Sequence, residues 1–319
     1  MKYWMTTGLW LALLAGCQTT SAQTPLRLAI FDVQGDGTGD VGASLHALAK
    51  AEQTSFELLD DTLARVAAQG AGYQGGLNLQ RQEARALGLS VGCDFYLLGK
   101  TWVGRRLGEG EQFYYEAWAG LFAVETRSGA LASFAFESAR AESEAAARKK
   151  LLASLNSVWR RQAQAMLAAH AQHQAEIASV GQPATQVIEV LNDDQLGQDA
   201  QQPIFYQRLK PEYTKEAELA GVIATVELEA VFQADGKVGE VTVTRWAGFW
   251  LEEVAIATVR KLRFKPAMQA GKEVTIRGLV RYNFRRSPTL AERQEEAERL
   301  KRSLRELKKP VLKSPPPRP

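Results

Sequence analysis

The spacing of hydrophobic and polar residues changes period several times along this chain, and each change marks an element. The clearest alternation runs from Val222 to Phe232. Val222, Ala224, Val226, Leu228, Ala230 and Phe232 fall on one face, Thr225, Glu227 and Glu229 on the other, with Ile223 and Val231 interrupting the polar face. Period two predicts a half-buried strand. Asp235-Gly236 predicts a tight hairpin turn, and Val241 and Val243 set against Glu240, Thr242 and Thr244 predict the returning strand. After Gly248 the period lengthens, and Leu251, Val254, Ala255, Thr258 and Leu262 fall at helical spacing. Arg260, Lys261 and Arg263 suit the negative end of that helix dipole, and Pro266 ends it. A third strand runs from Val274 to Phe284, with Thr275, Arg277, Arg281 and Asn283 opposite its apolar face. Ahead of all this, Thr214 to Leu219 predicts a short helix stopped by Gly221. Residues 203–286 thus read as a three-stranded antiparallel sheet with one covering helix.

Upstream, Leu26 to Val33 has the pattern of a buried strand, Val41 to Ala51 of a helix and Phe56 to Leu59 of a second strand. Asp60 or Asp61 can cap a helix running to Gln69. Leu79 to Leu87 predicts another helix, terminated by Gly88. Three strands follow at Phe95–Val103, Tyr114–Thr126 and Ala130–Ser138, then a long helix with Leu151, Leu155, Val158, Trp159 and Met166 on one side. Alternating strands and helices followed by a meander predict a mixed α/β domain over residues 25–176. Residues 177–202, rich in Gln, Asp and Gly, read as an interdomain linker, within which Val187 to Leu191 could pack locally. Residues 289–309 predict a charged helix and 310–319 a basic, proline-rich disordered tail.

The C-terminal unit resembles the C-terminal domain of TonB-type energy transducers. The pieces that carry the resemblance are Pro211-Glu212-Tyr213, Ala220-Gly221-Val222, Asp235-Gly236-Lys237-Val238, Leu251-Glu252-Glu253-Val254-Ala255, and Arg263-Phe264-Lys265-Pro266-Ala267 before Gly271-Lys272. The family usually reads Tyr-Pro where this chain has Tyr213-Thr214. The resemblance implies capture of an extended segment of an envelope protein, such as a TonB-dependent receptor, by strand addition. The third strand, following the covering helix, is expected at a sheet edge, with unpaired backbone groups suited to that mode. Thr275, Arg277, Leu279, Arg281 and Asn283 are then the candidate partner-binding residues along the edge, with Tyr213 packing beside the added strand. The upstream domain resembles the CsgG-like and TolB N-terminal α/β group. Phe56-Glu57-Leu58-Leu59-Asp60, Ala84-Arg85-Ala86-Leu87-Gly88 and Cys93-Asp94-Phe95-Tyr96-Leu97-Leu98-Gly99 carry that resemblance.

Composition narrows the function classes. The chain has 319 residues, is 45% hydrophobic and carries a formal net charge of +3, too small to imply nucleic-acid binding. The apolar run Gly8 to Gly16 is too short to span a bilayer, and residues 1–16 read as a signal peptide. Leu14-Ala15-Gly16-Cys17 resembles a bacterial lipobox, which makes Cys17 the lipidation candidate; cleavage after Thr20-Ser21-Ala22 would instead discard it. Gln18 after Cys17 implies, by resemblance to enterobacterial lipoproteins, the outer rather than the inner membrane. A TonB transducer keeps an uncleaved membrane helix and none is read here, so the resemblance implies the binding domain and leaves energy transduction open. The expected place is the periplasm, tethered by a lipid anchor.

Four motifs could carry chemistry. Gly37-Thr38-Gly39-Asp40-Val41-Gly42 matches a dinucleotide fingerprint, and an alternative function is a ligand-binding or enzymatic N-terminal domain using the loop 35–42. Here the glycines come late after the strand, and the plainer reading is a βα loop. Asp32, Asp36 and Asp40 lack the spacing of a calcium loop. His170 and His173 share a helix face without an evident third ligand. With Cys17 acylated, Cys93 is expected to pack as a small apolar residue. No nucleophile with a base and an orienting group is recognisable, so the expectation is a binding protein with no cofactor and no metal, not an enzyme.

Overall fold

The computed structural model describes residues 24–108, 112–179, 190–192 and 200–285. The predicted signal peptide, Cys17, the charged helix at 289–309 and the tail at 310–319 lie outside the described residues.

The N-terminal domain runs β1 (Leu26–Ile30), α1 (Asp40–Ala51), β2 (Phe56–Leu58), α2 (Asp61–Gly70), α3 (Arg81–Val91), β3 (Phe95–Leu107), β4 (Phe113–Glu125), β5 (Leu131–Ala141) and α4 (Glu144–Ser179). Its five-stranded sheet has the order β2-β1-β3-β4-β5. The first three strands are parallel, with Leu28 level with both Leu58 and Phe95, and the last three form an antiparallel meander. β1 is a nearly continuous apolar run because helices cover both its faces. Asp60 caps α2 as expected, accepting the N–H groups of Thr62 at 3.0 Å and Leu63 at 2.9 Å. Gly88 does not end α3. It lies inside the helix, where a Cβ would come within 2.2 Å of the Thr126 hydroxyl, and Gly92, at a φ of 76°, ends the helix instead. The glycine is there for close packing on the end of β4, which local sequence cannot reveal.

The C-terminal module comprises β6 (Leu191–Asn192), β7 (Ile204–Phe205), α5 (Lys215–Ala220), β8 (Ala224–Phe232), β9 (Val238–Arg245), α6 (Leu251–Val259), β10 (Phe264–Lys265), β11 (Ala267–Gln269), β12 (Lys272–Val274) and β13 (Ile276–Phe284). β13, β8 and β9 form the antiparallel sheet, and β6 adds to β13 in parallel. The turn at Asp235-Gly236 forms as expected, with Gly236 at a φ of 78°. Three details differ from the sequence pattern. α6 stops at Val259, because the chain after it turns to pair β10 with β7. β13 begins at Ile276, because Lys272–Val274 folds back onto Ala267–Gln269 through Ala270-Gly271, both at positive φ. The stretch read as linker is not all connector: Leu191 extends the sheet, at the end of the segment open to local packing, and, against the linker reading, Gln201 exchanges backbone bonds with Met268 at 2.8 and 2.9 Å.

The two parts share one core. One face of the five-stranded sheet packs Leu28, Ile30, Leu97 and Leu121 against Val41 and Leu45 of α1 and Leu155, Trp159 and Met166 of α4. The other face is covered twice. α2 and α3 cover part of it with Ala64, Ala68, Ala84 and Leu87, and Trp246, Ala247, Phe249 and Leu251 of the C-terminal module belong to the same cluster. The Phe249 ring centroid lies 4.8 Å from Phe134, 5.7 Å from Phe136, 6.0 Å from Phe122 and 6.4 Å from Trp118. The C-terminal module therefore supplies part of the outer layer of the N-terminal domain. A polar clamp stands beside this plug. The Asn78 amide donates to the carbonyls of Thr225 at 2.8 Å and Trp246 at 2.6 Å and accepts the Thr225 N–H at 2.9 Å.

Candidate partner-binding edge

β13 is bonded along its whole length to β8 on one side, while on the other, among the described residues, β6 covers its first two residues. Which backbone groups face outward follows from one bond. The N–H of Leu191 donates to the carbonyl of Thr275 at 3.0 Å, so Thr275 directs its backbone to the β6 side. Backbone direction alternates along a strand. The N–H and C=O groups of Leu279, Arg281 and Asn283 therefore point out of the sheet beyond β6, and those of Gly278, Val280 and Tyr282 point into the β8 ladder. Side chains alternate as well: Arg277, Leu279, Arg281 and Asn283 are exposed, while Ile276 and Phe284 are buried and Val280 and Tyr282 half-buried.

A groove of about 810 Å³ runs beside this edge. Its floor is Phe232, Ile276, Val280 and Tyr282, and its far wall is the segment 202–210, with Ile204, Phe205 and Arg208. The wall is held by the pairing of Phe205 with Phe264 and of Ile204 with Lys265, and the Phe205 ring meets Phe232 edge-on at 5.2 Å. Gly278 keeps the floor open, since a Cβ there would come within 3.2 Å of the Phe232 ring. Ile204, Phe205 and Leu279 are large apolar side chains left 57%, 40% and 59% exposed around it. The far wall carries no periodic signal in the sequence, because two-residue strands have no measurable period. The run Ile204-Phe205-Tyr206 between polar residues was the only available signal.

The expected edge residues are not all alike. Arg277, Leu279, Arg281 and Asn283 share one exposed face, but three of them already have partners on β8. Arg281 binds Glu227 at 2.7 Å, Arg277 binds Glu229 at 3.4 Å, and Asn283 accepts from Thr225 at 2.8 Å. Thr275 does not point outward: it is buried at the joint between β12 and β13, and its hydroxyl accepts the N–H of Ala234 at 3.1 Å. Tyr213 stacks on Phe284, 6.2 Å between centroids, and donates its hydroxyl to the carbonyl of Val222, so it packs at the far end of β13. The departure at Thr214 has a local reason. Its hydroxyl accepts the Ala217 N–H at the start of α5 and donates to the carbonyl of Phe249 at 2.7 Å, which a proline could not do.

Behind the sheet, Glu252 is buried and accepts the N–H groups of Ala247 and, at 2.7 Å, of Gly248. Burial pushes its carboxyl up to about 7, against the pull of those donors. It holds the loop that carries Phe249 and Trp250, both at positive φ, 56° and 57°. The other sequence candidates are accounted for locally. In the loop 35–42, the Asp36 carboxylate accepts the Gly42 N–H at 2.9 Å, placing an anion of the protein itself at the start of α1. His173 pairs with Glu176, and among the described residues no cluster of three metal-ligating side chains forms. Cys93 is buried, which pushes its thiol up to about 11.

These features define a small antiparallel sheet backed by one helix, with a strand whose outer side, beyond the two residues paired with β6, is open among the described residues beside an apolar groove. The family described as the C-terminal domain of the Gram-negative bacterial TonB protein matches residues 210–285, and this part of the chain is a TonB C-terminal domain. No curated protein matches the chain. Among solved structures, the solution structure of the TonB C-terminal domain of Pseudomonas aeruginosa is similar at 18% identity, over 27% of this chain and 89% of that one, with a TM-score of 0.24. Lipoprotein GNA1162 from Neisseria meningitidis is similar at 16% identity over 43% of this chain and 97% of that one, TM-score 0.31. The C-terminal domain of LpoB from Escherichia coli is similar at 16% identity over 35% and 81%, TM-score 0.25.

Proposed function

We propose that this chain is an exported, lipid-anchored adaptor of the cell envelope. Its TonB C-terminal domain captures an extended segment of a partner protein by adding it as a strand to β13, and the family points to a TonB-dependent receptor as that partner. The observation that carries the reading is the outward row of backbone groups at Leu279, Arg281 and Asn283 beside the groove. Backbone bonds on such an edge supply affinity, and pockets for alternate side chains supply selectivity. A partner strand would set every second side chain over Val280 and Tyr282, facing Ile204 and Phe205. Lipidation at Cys17 and a periplasmic place rest on the signal-peptide pattern and the lipobox.

Proline substitutions one residue apart test the mode. Leu279→Pro removes an outward donor and leaves the β8 ladder intact, so capture is expected to weaken while the melting temperature holds. Val280→Pro removes a ladder bond and is expected to destabilise the module itself. A photo-crosslinker at position 279 or 281 in intact envelopes should trap another protein. Trapping of the chain's own residues 289–309 instead would mean that the edge is already occupied.

A further inference from the structure

A crevice in the N-terminal domain has both the location and the lining of a small-molecule site. In open parallel sheets, ligands sit beyond the carboxyl ends of neighbouring strands whose connections leave in opposite directions. β1 meets this condition at its carboxyl end, where the chain leaves through α1 to β2 on the outer side, while β3 runs on past the crevice at Leu98 and Gly99 and turns back as β4 on the other side. At this point β1 carries one extra residue. Phe31 donates to the carbonyl of Leu97 at 3.0 Å, but the next donor to β3 is Gln34, bonded to Gly99 at 2.9 Å, where a regular parallel ladder would use residue 33. The bulge at Asp32-Val33 leaves Asp32 exposed at the mouth, a device that re-aims side chains beside functional sites.

The crevice has a volume of about 370 Å³, enough for a small ligand. Phe31, Tyr73, Leu77 and Leu98 form its apolar lining, and Asp32 and Arg65 stand at its mouth. The Tyr73 ring lies 5.6 Å from Phe31, and its hydroxyl has no hydrogen-bond partner among the described residues. Asp32 and Arg65 pair loosely at 3.5 Å while largely exposed. Such pairs contribute at most about 1 kcal/mol, so a ligand that meets both charges can open this one at little cost. One cation and one anion above an apolar pocket match a molecule that carries both charges on a short head and an apolar group behind it.

We propose that this crevice binds a small zwitterion with an apolar side chain, of the class of leucine and phenylalanine. Arg65 takes the carboxylate, Asp32 the ammonium, and Phe31, Leu77 and Leu98 the side chain. The Tyr73 hydroxyl supplies a further hydrogen bond inside. The test is calorimetric titration of the full chain with L-phenylalanine, L-leucine and N-acetyl-L-phenylalaninamide, which has neither charge. The amino acids should bind saturably and the amide should not. Arg65→Gln, a substitution at an exposed position, should weaken binding at least about tenfold by removing a charge-assisted bond. Absence of saturable binding by either amino acid, equal binding of the amide, or indifference to Arg65→Gln would each overturn the proposal.

Discussion

At the scale of single residues, the buried carboxyl of Glu252 makes stability depend on pH in a specific window. In the unfolded chain this group titrates near 4.5, and in the folded protein at about 7. Between those values the folded state holds a proton that the unfolded state has released, so stability falls as pH rises through the window and is level on either side. The full difference is roughly 3 kcal/mol. Glu252→Gln keeps an oxygen for the Ala247 and Gly248 N–H groups but cannot titrate. Thermal melts at pH 5 and pH 8 should therefore show a smaller loss at the higher pH for the variant than for the unsubstituted chain; equal losses would place the carboxyl in water. The sequence shows Glu252 within the run Leu251-Glu252-Glu253-Val254-Ala255, but nothing there distinguishes it from Glu253 in an ordinary first turn of a helix. It is buried against the loop before α6, whose Ala247 and Gly248 N–H groups it accepts, and that placement depends on tertiary structure.

At the scale of elements, the Asn78 clamp has the sharpest consequence. It satisfies three backbone groups at the junction of β8 with the loop leading to α6. Asn78→Ala should cost about 2–3 kcal/mol in a denaturant melt by leaving them unpaired. Asn78→Asp should be no better, since it supplies no donor for the two carbonyls. Elements whose signal is local were legible: the alternation of β8, the Asp235-Gly236 turn, the Asp60 cap and the meander β3-β4-β5. Those fixed by distant contacts were not. Gly88 looked like a helix stop because its actual reason, Thr126, is 38 residues away in sequence. Thr275 looked like an outward strand residue because the break between β12 and β13 depends on the β11 pairing. The position of β13 on the outer side of β8 was readable from chain order, whereas the added β6 and the far wall of the groove were not.

At the scale of the whole molecule, the shared core predicts that the two parts melt together. A protease site placed after Pro183 should be cut without separating the fragments, which should still co-elute on gel filtration. The isolated segment 24–179 should bind a hydrophobic dye, because Trp118, Phe122, Phe134 and Phe136 lose the cover of Phe249. Burial of each aromatic ring contributes about 1.5–3 kcal/mol. Two separate calorimetric transitions in the full chain would show that the aromatic plug contributes little. The sequence offered two complete hydrophobic patterns with a polar stretch between them, and it could not say that the apolar face of one was closed by the loop of the other.

The pairing of β13 with β8 over nine residues also determines how the molecule would carry a mechanical load. A partner strand tugged along its own axis would strain the whole ladder in shear, so its bonds would resist together and not unzip one after another. From β8 the load passes at Thr225 to Asn78, and from the loop before α6 to the aromatic face of the five-stranded sheet. Tension on a captured segment would therefore reach the N-terminal domain as a pull on a rigid lever, not as the straightening of a tether.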